Sequence, residues 1–161
     1  MVKLPKKVIE DLTTGTLYSF SETPDQDIPQ VAIGMYTIWN GGQFAYVGIS
    51  GKSVKEEHYK KDKIKGLKQR LRAHYSGGIG GDKFCVYVFE RYVSKEITSS
   101  DLEKMAKKEL FLRELNRIFI RANLTYRFTI LDSKEHLHEY EKFIKQGGIK
   151  SVGKPFLNPI D

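Results

Sequence analysis

Residues 31–39 (VAIGMYTIW) and 44–49 (FAYVGI) are two runs of branched and aromatic side chains, separated by Asn40, Gly41 and Gly42. Such side chains fit a pleated, half-buried surface. Asn and Gly tolerate the positive φ that a tight turn between strands requires. The pair predicts a β-hairpin that opens a sheet, and the rest of the chain reads as material arranged around it.

Residues 1–30 contain Pro24, Pro29 and a Thr14-Gly15-Thr16 punctuation, and read as an arm or short irregular elements. Ser50 to Asp62 is a polar loop. From Lys63, the spacing of Ile64, Leu67, Leu71 and Tyr75 predicts a helix, ended by SGGIGG at 76–81. FCVYVFERYV (84–93) predicts a strand. Ser99, Ser100 or Asp101 can cap a helix that runs to about Ala122. TYRFTIL (125–131) predicts a further strand. Asp132 or Ser133 can cap a last helix, which Gly147 and Gly148 stop near Gln146. The tail GKPFLNPID is irregular. The pattern is α+β.

With 161 residues and 18.5 kDa the chain suggests one domain, too little for a catalytic domain joined to a full DNA-reading domain. The single cysteine, Cys85, excludes an intrachain disulfide and a multi-cysteine zinc site, and a reducing cytoplasm is the simplest setting. No apolar run approaches the roughly 18 residues of a membrane span, and no secretory signal is visible at the start. Twenty-seven basic against 20 acidic residues give a charge of +7 and a pI near 9.3, which favours an acidic partner, with nucleic acid ahead of a membrane surface. The charge is concentrated. Residues 52–72 hold nine basic side chains against three acidic ones, a surplus of six. Lys52, Lys63, Lys65, Lys68 and Arg72 from this run are candidate phosphate contacts.

Several apparent motifs fail on context. Gly51-Lys52-Ser53 ends like a phosphate-binding P-loop, but position 46, where that loop needs glycine, is Tyr46. The glycines at 77, 78, 80 and 81 follow a helix rather than a strand. His136 and His138 are two apart on a predicted helix and point to different sides. Cys85 reads as a buried structural thiol.

Another set is coherent. Tyr36 follows Gly34-Met35 in the first strand and Tyr46 precedes Val47-Gly48 in the second, so the hairpin can bring both to one sheet face. Arg70 and His74 are four apart and stack on one helix face. Glu141 lies on the last predicted helix, with Leu137 and Ile144 one turn to either side; Glu139, two residues away and facing elsewhere, is the alternative carboxylate. Asn158 lies in the tail.

These residues resemble the GIY-YIG nuclease superfamily. The two triplets appear as Gly34-Met35-Tyr36 and Tyr46-Val47-Gly48, and Arg70 and His74 match the helix after the hairpin. LHEYEKFIKQGGIKSVGKPFLNP resembles the closing block, with a glutamate on a helix and an asparagine after a proline. The likeness covers about residues 31–161. The arginine with a histidine four later is similar to the small restriction-enzyme branch. Met35 and Val47 replace the usual isoleucines and should face away from the tyrosines. The resemblance implies a nuclease domain over 31–161 behind an N-terminal arm of 1–30. It implies a small central, mainly antiparallel sheet flanked by helices, with 76–124 as an insertion carrying a strand and a helix.

The implied activity is metal-dependent hydrolysis of DNA phosphodiester bonds, with Mg²⁺ or Mn²⁺ held by Glu141. Arg70 would clamp the phosphate, since its planar fork of donors stays charged. Tyr36 would help activate the water, with His74 accepting or relaying the proton. Tyr46 would hydrogen-bond water or phosphate, and Asn158 would fix the shape of the site. Double-stranded DNA is the expected partner, and a homodimer would allow both strands to be cut. A restriction-type role leads, with structure-specific repair or mobile-element cleavage behind it. The alternative from another class is a nucleic-acid-binding module without catalysis, which the basic run alone would equally suit.

Overall fold

The structure, a computed structural model, describes residues 3–61 and 63–159. The expected hairpin forms, with β2 over Val31–Asn40 and β3 over Gln43–Ser50. Gly41 takes φ +57° in the turn. Two-residue strands β1 (Tyr18–Ser19) and β4 (Lys65–Gly66) and the long β5 (Leu124–Leu131) complete the sheet. Its order is β1-β5-β2-β3, antiparallel throughout, and β4 adds to β2 in parallel. The fold is α+β with a mainly antiparallel sheet.

Nine of the ten residues of β2 are buried, because β2 is central and both of its faces are covered. One face carries Tyr36, Ile38 and Ala45 and packs on helices α3 (Leu67–Ser76), α4 (Lys83–Arg91) and α6 (Leu112–Asn123), through Leu67, Leu71, Phe84, Val88 and Ile120. The other face carries Ile33, Met35 and Val47. It packs on α1 (Lys6–Thr13) and α7 (Leu137–Lys145), through Val8, Leu12, Leu137 and Ile144. Met35 and Val47, both fully buried, do face away from the two tyrosines. Burying a side chain of this size contributes about 1.5–3 kcal/mol.

Four sequence expectations need correction. Residues 84–93 form no strand. Branched and aromatic composition suits a sheet, but Phe84, Cys85 and Val88 bury at helical spacing, and the Asp82 carboxylate accepts the Phe84 N–H to start helix α4. Tertiary burial overrides propensity here. The single helix expected to reach Ala122 is two, α5 (Ser99–Ala106) and α6. The chain breaks between them at Lys108, whose φ is +61°. Thr98 caps α5, in a reciprocal box with Asp101. The expected inserted strand and helix are therefore helices α4, α5 and α6 with a 3₁₀ turn at Val93–Glu96. Finally, residues 6–13 are helical rather than irregular. Leu4, Val8 and Leu12 recur every four residues and are all buried, and that apolar stripe docks the segment on the sheet.

Smaller differences follow the same logic. The polar loop holds a one-turn helix α2 (Glu56–Lys60). α3 begins at Leu67 rather than Lys63, because Lys65 and Gly66 pair with Val31 and Ala32 first. Gly66 turns the chain from β4 into α3 at φ +84°, where a Cβ would overlap the Ala32 carbonyl oxygen. This junction sets where Arg70 and His74 point. Among the described residues, no helix is long and apolar enough to cross a membrane.

Candidate active site

The strand register places Tyr36 opposite Gly48 and Ile38 opposite Tyr46. Side chains two apart share a face, so Tyr36 and Tyr46 stand together, with ring centroids 6.3 Å apart. The glycines of both triplets have a steric cause. A Cβ at position 48 would overlap the Tyr36 ring and hydroxyl, and one at position 34 would overlap the Thr129 carbonyl of the neighbouring β5. Close approach of another group, rather than backbone freedom, requires glycine at both.

Helix α3 brings Arg70 and His74 to the tyrosines, and α7 brings Glu141. All five side chains line one cleft of about 830 Å³. The Tyr36 hydroxyl oxygen lies 2.7 Å from His74 Nε2, and His74 Nδ1 lies 2.6 Å from Asp82 Oδ2. The other Asp82 oxygen accepts the Phe84 N–H at 3.1 Å. Tyr36 and His74 are each 1% exposed and Asp82 is 6% exposed, so this chain of groups is sealed from bulk water on most sides.

Sequence reasoning missed Asp82. It stands eight residues after His74, off the helical spacing, inside a glycine-rich loop. The available signal was its place just before an apolar run, as an N-cap residue. Reading 84–93 as a strand hid that signal.

Glu141 is the carboxylate that faces the cleft from α7. Leu137 and Ile144 on the same helix face are fully buried, and the Glu141 side chain keeps 16% exposure. Its oxygens lie 3.3 Å from Lys145 Nζ and 3.9 Å from His138 Nδ1. Glu139 is 56% exposed, pairs with His136 at 3.2 Å, and does not line the cleft. Asn158 stands behind the site. Its Oδ1 accepts the Val47 N–H at 2.8 Å and its Nδ2 donates to the Val47 carbonyl at 3.0 Å. Val47 lies between Tyr46 and Gly48, so this amide clamps the edge strand where the site is built. The Phe156 and Leu157 amides bond to Phe44 and Ala45 and continue that clamp.

The basic residues divide. Lys52 and Lys65 line the cleft, joined by Lys83, and Lys52 also contacts the His138 ring. Lys63 is exposed outside the cleft lining. Arg72 pairs with Asp25 at 2.6 Å. Lys68 is 7% exposed and packs inside.

Burial pushes the Tyr36 phenol well above its ordinary pKa, and the neighbouring Tyr46 adds to the rise, while Arg70 opposes it. Tyr46 is raised by burial and by the Glu141 charge. Both phenols are therefore neutral at physiological pH. Burial pushes the Asp82 carboxyl up, but the hydrogen bond from His74 and the nearby Arg70 charge oppose it, and Asp82 stays below the usual aspartate range. Asp82 is thus an ionised, acceptor-only group.

The donor set also bears on a metal ion. Asp82 is committed to His74, so among the described residues Glu141, which shares one oxygen with Lys145, is the cleft carboxylate suited to a cation. One carboxylate in an open polar cleft fits Mg²⁺ or Mn²⁺, hard ions content with few protein oxygens; Mg²⁺ in particular keeps several waters. A second grouping, His74, Asp82 and Cys85, has its donor atoms within 4.8 Å of one another. Those atoms are bonded to each other, with Cys85 Sγ 3.6 Å from Asp82. Burial and then Asp82 push the Cys85 thiol up, which disfavours the thiolate that would bind metal. The geometry there fits a hydrogen-bonded cluster better than a metal centre.

Comparison with protein-family models, with curated proteins and with solved structures finds no match to this chain.

Proposed function

We propose that this protein is a metal-dependent DNA endonuclease of the GIY-YIG type. The observation that carries the reading is the convergence of Tyr36, Tyr46, Arg70, His74 and Glu141 on one cleft, from four elements and more than a hundred residues of sequence. A binding module has no need of a buried tyrosine bonded to a histidine beside an arginine and a carboxylate. Lysines 52, 65 and 83 around the same cleft suit a polyanionic substrate.

In this reading Arg70 grips the phosphate and offsets the charge that grows on its oxygens. A neutral Tyr36 cannot act as a phenolate, so it takes the proton of the attacking water only as its own proton passes to His74. Tyr46 offers its hydroxyl to the water or phosphate. Glu141 would hold Mg²⁺ or Mn²⁺, and the ion would supply positive charge against the negative charge that develops during hydrolysis. Asn158 keeps β3 in register. A restriction-type role, acting as a homodimer on double-stranded DNA in the cytoplasm, is the reading we carry forward.

The test is incubation of plasmid and genomic DNA with the purified protein, with Mg²⁺ and with EDTA. Metal-dependent discrete fragments support a sequence-specific nuclease. Metal-dependent smearing or nicking keeps the nuclease and moves the role toward repair. A salt-sensitive gel shift without any cleavage overturns the reading in favour of a binding module.

A further inference from the structure

We infer that Asp82 is a positioning residue that fixes His74 in the tautomer protonated on Nδ1, so that Nε2 is held ready to accept the Tyr36 proton. This inference rests on the nuclease reading for its consequence, but the hydrogen-bond assignment stands on its own geometry.

The bond lengths carry the assignment. His74 Nδ1 and Asp82 Oδ2 are 2.6 Å apart, and Tyr36 Oη and His74 Nε2 are 2.7 Å apart. A carboxylate accepts and does not donate, so Nδ1 carries the proton. A neutral imidazole then has a bare Nε2, and the Tyr36 hydroxyl donates to it. Without Asp82 the two tautomers would compete. In the other one, Nε2–H would point at the phenol oxygen and Tyr36 would have nowhere to send its proton.

Among the described residues, Asp82 is the one carboxylate bonded to the His74 ring. Tyr36 on β2 and Tyr46 on β3 are neutral phenols, and Phe84 on α4 packs on the ring at 4.3 Å. Cys85 on α4 directs its thiol at Asp82 and at the His74 carbonyl. Arg70 and Glu141 enter the same cleft from α3 and α7.

The proton steps balance. The water oxygen bonds to phosphorus as its proton passes to Tyr36 Oη, while the phenolic proton passes to His74 Nε2. The bond from phosphorus to the leaving oxygen breaks, and that oxygen takes a proton from solvent. The imidazolium faces the ionised Asp82 until its extra proton returns to solvent through Tyr36.

Asp82 also caps α4, so its replacement must keep an oxygen for Phe84. Asp82→Asn does this, because asparagine is an equally good N-cap. Its NH₂ would face His74 Nδ1 and force the proton onto Nε2. The wild type should show a far-downfield proton resonance from His74 Nδ1–H, absent in His74→Ala and absent or moved upfield in Asp82→Asn. The variant should melt cooperatively and bind duplex DNA within a few-fold of wild type. Its kcat should fall by about 10²–10⁴-fold with KM little changed, and Asp82→Glu should recover part of the loss. An Asp82→Asn variant with wild-type kcat, or one that keeps the resonance unmoved, overturns the inference. If the wild type cleaves no DNA, the nuclease reading fails, and the resonance still decides whether Asp82 sets the tautomer.

Discussion

Gly48 lies directly beneath Tyr36: the two are partners across the hairpin, and the Tyr36 ring and hydroxyl occupy the space that any Cβ at position 48 would fill. The hydroxyl delivered there meets His74 on the neighbouring helix. A missing side chain on one strand thus makes room for the phenol of the other.

Gly48→Ala should therefore push Tyr36 out of line with His74. Forcing a methyl into a packed site costs about 1–3 kcal/mol. Urea unfolding should register a loss of this size, and cleavage should fall more than binding does. A variant with unchanged stability and rate would contradict the steric account.

Asn158 should matter without touching substrate. Asn158→Ala leaves the N–H and carbonyl of Val47 without their partners, at a cost of about 1–3 kcal/mol. Amide exchange at Val47 should quicken, and kcat should drop while the metal requirement stays the same. Asn158→Asp should be worse than Asn158→Ala near neutral pH, because a carboxylate would face the Val47 carbonyl that Nδ2 now serves.

The acid side of the stability profile should carry the signature of Asp82. Its folded pKa lies below the unfolded value of about 3.9. Its contribution is therefore fully present above that value and disappears as pH falls through the lower folded value. The stability difference between wild type and Asp82→Asn should be flat above about pH 5 and shrink in the acid range below it. Parallel curves through that range would show that the carboxylate makes no such contribution.

The lysines should separate by position. Lys65→Ala and Lys83→Ala, at the cleft, should weaken DNA binding and lower the salt slope by about one for each phosphate no longer neutralised. Lys68→Ala should act through folding, because Lys68 is buried. Salt titrations of binding beside urea melts distinguish the two. A lower slope for Lys68→Ala with unchanged stability would contradict this assignment.

The hairpin was legible because Asn40, Gly41 and Gly42 mark a turn between two runs whose composition suits strands. Arg70 with His74, and Leu137, Glu141 and Ile144, were legible as groups because helical spacing gathers each on a face, while the family resemblance singled out Glu141 among them. Phe84 to Val93 was not, since branched and aromatic residues describe a strand and a buried helix alike. What decides is the company of α3 and α6, which no local window contains. The stripe of Leu4, Val8 and Leu12, which runs into α1, lay in plain view, obscured by the prolines and glycine of the first thirty residues. Asp82 was out of reach for a further reason. Its partner His74 lies on the preceding helix, and only the folded Gly77–Gly81 loop returns the chain to it.

The most direct test of the central claim compares wild type with Glu141→Gln on supercoiled plasmid in Mg²⁺. Glutamine keeps the shape of the side chain and removes the charge that would hold the ion. The account predicts metal-dependent cleavage by wild type, and a variant that still folds and binds DNA but cleaves at least about 10²-fold more slowly. Cleavage by Glu141→Gln at the wild-type rate, or wild-type cleavage undiminished in EDTA, would contradict it.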